Sequence, residues 1–97
     1  MERIKALTKI ATDIMNMEHA YGRRNDIVIT FRKVDDEYLE EFSEWSRQYH
    51  GIRTGEELFF VWEPIENGHS LLYVVNVTGD SLLTAAGELM DLVSKKF

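Results

Sequence analysis

The sequence predicts an α+β fold occupying residues 1–97 as one domain, and three observations point to it. Apolar residues recur at helical spacing in three segments and follow strand patterns in three others, and an Asn67-Gly68 pair separates two of those strands. Ninety-seven residues leave space for a single core. With 44 % hydrophobic residues, six glycines and one proline, the chain can bury that core. The predicted order is α-β-α-β-β-α.

Residues 2–21 form the first helix. Ile4, Leu7, Ile10, Ala11, Ile14, Met17 and Tyr21 gather on one side at about 100° steps, opposite Lys5, Lys9, Thr12, Asp13 and Asn16. Gly22 can supply the positive φ that ends it. Residues 26–34 then alternate, with Ile27, Ile29 and Phe31 on the more apolar face, as a strand does.

A second helix is expected from Asp35 or Asp36, whose carboxylate can cap it, to about His50, with Gly51 as its stop. Tyr38, Leu39, Phe42, Trp45, Ser46 and Tyr49 share one arc. Glu37, Glu40, Glu41 and Glu44 fill the other with Arg47 and Gln48.

Asn67-Gly68 suits a two-residue type I′ turn, which would set Trp62 opposite Tyr73, Phe60 opposite Val75 and Leu58 opposite Val77 on one face. Phe59 and Val61 then join Val74 and Leu72 on the other, so both faces need cover. Pro64 lacks an N–H and suggests an edge position for the second strand. The continuous apolar run Leu71–Val75 suggests the third strand for the centre. Thr78-Gly79 turns the chain, and Asp80 or Ser81 caps a third helix with a wide apolar face from Leu82 to Phe97.

A right-handed crossover through the second helix would make strands one and two parallel, giving a mixed three-stranded sheet in the order 1-3-2. This arrangement resembles a truncated ferredoxin-like unit, a split β-α-β that lacks its last strand and has gained an N-terminal helix. Helices two and three would cover one face and the first helix the other. An uncovered face would be a dimer interface.

Charge and composition narrow the function. The net charge of −6 is concentrated in residues 35–44, which carry Asp35, Asp36, Glu37, Glu40, Glu41 and Glu44 and no base, whereas residues 1–34 are net basic. A net acidic protein repels a phosphate backbone, so nucleic acid is not the expected partner. There is no cysteine, and His19, His50 and His69 share no metal-binding spacing, so no metal and no cofactor is expected. No nucleophile elbow and no glycine-rich phosphate loop is present, which leaves little signal for an enzyme. Without an apolar leader or a bilayer-length run, the expected location is cytoplasmic, with no membrane contact.

Two candidate sites remain. The acidic helix face Glu37, Glu40, Glu41 and Glu44 is either a docking surface for a basic partner or a solubilising face. Glu18 points into the apolar arc of the first helix. It either pairs with Arg23 or Arg24, forming an anion or ligand site with Tyr21, or reaches water where the helix frays. The expected function is a small non-enzymatic interaction or accessory module that binds a protein partner or forms a homodimer. The alternative is a small-ligand sensor or minor enzyme with its pocket near the end of the first helix.

Overall fold

The computed structural model describes residues 2–20, 27–41 and 50–96. In chain order the elements are α1 (Glu2–Ala20), β1 (Val28–Lys33), α2 (Asp36–Glu41), β2 (Glu57–Ile65), β3 (Gly68–Asn76) and α3 (Leu82–Lys96). The class and the element order agree with the sequence reading. The sheet does not: its order is β1-β2-β3, and every neighbouring pair is antiparallel.

The reason lies where the connection from β1 to β2 closes. The Val34 N–H donates to the Glu56 carbonyl at 2.8 Å, and the Gly55 N–H donates to the Val34 carbonyl at 2.8 Å. The chain therefore leaves β1 and re-enters β2 at the same end of the sheet, whereas a parallel crossover must return at the opposite end. The sheet is thus a meander interrupted by α2, and the ferredoxin-like order is corrected to 1-2-3. The Asp35 carboxylate caps α2 by accepting the Tyr38 N–H at 2.7 Å, and Asp36 accepts the Thr54 hydroxyl at 2.8 Å, tying the helix to the returning loop. Gly51 takes φ +63° as a helix stop would, while Phe42, Trp45, Ser46 and Tyr49 lie outside the described residues.

β2, not β3, is the central strand. Leu58, Phe59, Phe60 and Val61 are no more than 1 % exposed, so β2 is covered on both faces. Pro64 is tolerated because β1 pairs only as far as the Val28–Trp62 position, so the proline lies beyond the reach of that ladder.

The hairpin register also differs. Ile65 pairs with Gly68 around a Glu66-Asn67 turn, and only Gly68 adopts a positive φ, of +144°. A type I′ turn needs positive φ at both central residues. Towards the tip Trp62 opposes Leu71, and below an irregularity that leaves Leu72 as the extra residue, Val61 opposes Tyr73 and Phe60 opposes Val74. A shift of one residue exchanges faces, so Trp62 and Tyr73 lie on opposite sides of the sheet and the expected pair does not form. The space where a Gly68 side chain would project is open, so Gly68→Ala should cost about 1 kcal/mol through backbone strain alone, read as a lowered urea midpoint.

The layers follow from these faces. Ile29, Phe59, Val61 and half-buried Phe31 and Val75 pack against Leu7, Ala11 and Ile14 of α1 and Ala85, Leu89 and Val93 of α3. On the second face Leu58, Phe60 and half-buried Trp62 and Val74 meet Val34, Tyr38 and Ile52. The helices at the two chain ends therefore share one face and α2 takes the other, in place of the pairing expected from sequence. The helical stripes are also narrower than their composition suggests: Met17 is 40 % and Leu83 85 % exposed.

Candidate functional site

The outer edge of β3 pairs with no strand among the described residues. In an antiparallel sheet every second residue of an edge strand turns its N–H and C=O away from its neighbour, ready to accept another strand. β3 extends for nine residues and carries no Lys, Arg or Pro, the residues that commonly guard such an edge. The other outer strand, β1, is six residues long and ends on exposed Arg32 and Lys33.

α3 flanks the β3 edge. With Ala85, Leu89 and Val93 buried against the sheet, helical spacing carries Glu88, Asp91 and Leu92 to the neighbouring flank. There they face the edge of β3 from Tyr73 through Val74 and Val75 to Asn76 across an open groove of about 460 Å³. Its floor is aliphatic at Val75 and Leu92, and its rim bears the Glu88 and Asp91 carboxyl groups. No basic residue lines it among those described.

The connection from β3 to α3, at one end of the groove, is fixed. The Asn76 amide donates to the Glu56 carboxylate, and its oxygen accepts the Thr78 N–H at 3.0 Å. The Ser81 hydroxyl caps α3 by accepting the Thr84 N–H at 3.1 Å. Partial desolvation, the negative charge of Asp80 and a hydrogen bond with it push the Glu88 carboxyl above its ordinary range.

The acidic helix face expected from the sequence falls elsewhere. Glu37, Glu40 and Glu41 are exposed on α2, on the far side of the sheet from the groove, and Glu44 lies outside the described residues. Beneath that ridge Tyr38 is buried against Phe60, with the Arg32 guanidinium carbon 3.9 Å from its ring centre. Burial, opposed by Arg32, pushes the Tyr38 phenol up. Of the second candidate cluster, Tyr21, Arg23, Arg24 and the Glu18 side chain lie outside the described residues. Among the described residues, no group of three or more His, Asp or Glu side chains is placed to hold a metal, and no helix is long and apolar enough to cross a membrane.

Sequence reasoning missed the groove because it put β3 at the centre of the sheet. Two signals were present: the unguarded composition of β3, and the Glu88-x-x-Asp91 spacing beside an apolar helix face. No protein-family model, curated protein or solved structure matches this chain.

Proposed function

We propose that this protein is a non-enzymatic interaction module that accepts an extended segment of another protein as a fourth strand along β3. The observation that carries this reading is the outer edge of β3, which carries no Lys, Arg or Pro and is regular from Tyr73 to Asn76, lying beside the β3–α3 groove. Strand addition of this kind draws affinity from main-chain hydrogen bonds and selectivity from pockets that receive alternate side chains. The outer edge of β3 and the groove beside it support this reading.

A second copy is the less favourable occupant. Each chain carries −6 overall, and pairing two β3 edges would bring two acid-rimmed grooves towards each other.

Selection of a displayed random heptapeptide library on the immobilised protein, followed by NMR mapping of the enriched peptides, tests the proposal. The expected result is amide shifts and slowed hydrogen exchange concentrated in residues 70–76, with smaller shifts in residues 85–92. Enriched peptides that perturb only α2, or an absence of enrichment, would overturn it. So would a mass that doubles with protein concentration while the β3 amides become protected, because the edge would then belong to a homodimer.

A further inference from the structure

Building on the proposed docking along β3, we infer that the segment bound there is basic, with Lys or Arg at alternate positions and β-branched aliphatic residues between them. Three features of the groove lead to this pattern.

The first is periodicity. Side chains of an added strand alternate between the two faces of the sheet. Tyr73 and Val75 lie on the face that carries α3, whereas Val74 lies on the other. Along the regular stretch from Tyr73 to Asn76, beyond the irregularity at Leu72, a four-residue segment places two side chains in the groove and two beside Val74.

The second is the composition of the groove. An aliphatic floor under a carboxylate rim matches a long basic side chain, whose methylene stem covers Val75 and Leu92 while its charged end reaches Glu88 or Asp91. An aliphatic side chain would cover the floor and gain nothing from the acidic rim. A short polar one would leave the floor wet.

The third is charge. Glu88 and Asp91 line the groove with no basic residue beside them among the described lining residues, which complements a cationic side chain. The residues beside Val74 meet a half-buried valine at the sheet edge, where branched aliphatic side chains pack best.

Three acetylated, amidated heptapeptides separate this inference from the docking reading beneath it. In each, valine alternates with lysine, serine or glutamate, and each is titrated into the ¹⁵N-labelled full chain at low salt. The lysine peptide should bind about tenfold more tightly than the serine peptide, the factor that two partly screened charge pairs supply. Its shifts should fall in residues 73–76 and 88–92, and added salt should erode its advantage. The glutamate peptide should bind more weakly than either.

In the E88Q/D91N double variant the lysine and serine peptides should bind alike, and retention of the wild-type amide pattern elsewhere would show that the fold is intact. Equal affinity of the two peptides for β3 in the wild type would overturn the basic-segment inference and leave strand addition standing. A lysine peptide that shifts only Glu37, Glu40 and Glu41 would move the site for a basic segment to the acidic face of α2 and overturn the inference. No shift along β3 with any of the three would overturn both readings.

Discussion

Phe59→Ala is expected to destabilise the protein by about 3–5 kcal/mol, and Phe60→Ala by a similar amount. Phe59 is fully buried between the sheet and the paired helices α1 and α3, with its ring centre 5.6 Å from that of Phe31 in an edge-to-face contact. Phe60 points the other way and sits 6.1 Å from Tyr38 and 6.0 Å from Trp62. Neither site can collapse easily, because both belong to the strand whose two neighbours fix its backbone.

Chains of this length typically carry about 5–15 kcal/mol in total, so either variant should lose a large part of its folded population. Urea unfolding monitored by far-UV circular dichroism gives both values. The comparison is informative because adjacent residues of one strand test the two faces separately. A Phe60→Ala cost below about 1 kcal/mol would mean that α2 and Ile52 do not close the second face. Ile65→Ala at the exposed hairpin tip is the control, with a change within about 0.5 kcal/mol.

That two-sided burial also explains what the sequence could reveal. Local signals were legible because they depend on nearby residues: the alternation of Ile27, Ile29 and Phe31, the stop at Gly51 and a cap at Ser81 all have counterparts in the structure. Pairing was not legible, because two apolar runs, Leu58–Trp62 and Leu71–Val75, are equally suited to the centre of a sheet. Pro64 tipped the reading the wrong way, since its position relative to the end of β1 is a tertiary fact.

The hairpin register failed for a similar reason. Asn67-Gly68 signals a turn, yet the helical turn geometry open to Glu66 and Asn67 competes with the type I′ alternative, and the extra residue at Leu72 lets both parts of β3 keep apolar partners. The groove inherits these errors. Glu88 and Asp91 look like ordinary solvated helix positions until β3 is known to be an edge.

The second large effect concerns Glu57, where β2 begins. Its carboxylate is nearly buried, receives the Arg3 Nε–H with contacts of 3.1 and 2.9 Å to its two oxygens, and lies beneath a bond of 3.2 Å from the same guanidinium to the Val77 carbonyl. One arginine on α1 thus ties the first helix to the start of β2 and to the turn before α3. The Arg3 hydrogen bond holds the Glu57 carboxyl below its ordinary value of 4.5 against the opposing effect of burial, with the charge of Arg3, a backbone bond from Gly79 and the charge of Lys33 adding to it.

A carboxyl whose folded pKa lies below its unfolded one stabilises the protein above the unfolded value, and loses that contribution as pH falls through the folded value. Stability from Glu57 should therefore be complete at pH 7 and begin to fade just below pH 5. Glu57→Gln imitates the protonated form at every pH. It should cost about 1–3 kcal/mol at pH 7, and the gap to the wild type should narrow as pH falls below the ordinary carboxyl value of 4.5 and Glu57 takes up its proton.

The difference between the two proteins matters more than either curve alone, since acid also relieves repulsion among the other carboxylates of a chain at −6. Arg3→Ala provides a second route to the same test. Without its cation the largest influence lowering the Glu57 pKa is gone, so this variant should lose less stability than the wild type as pH falls below the ordinary carboxyl value of 4.5. Urea midpoints of the three proteins at pH 7, 5 and 3 decide the matter, and a Glu57→Gln deficit unchanged across that range would assign the effect to packing and not to charge.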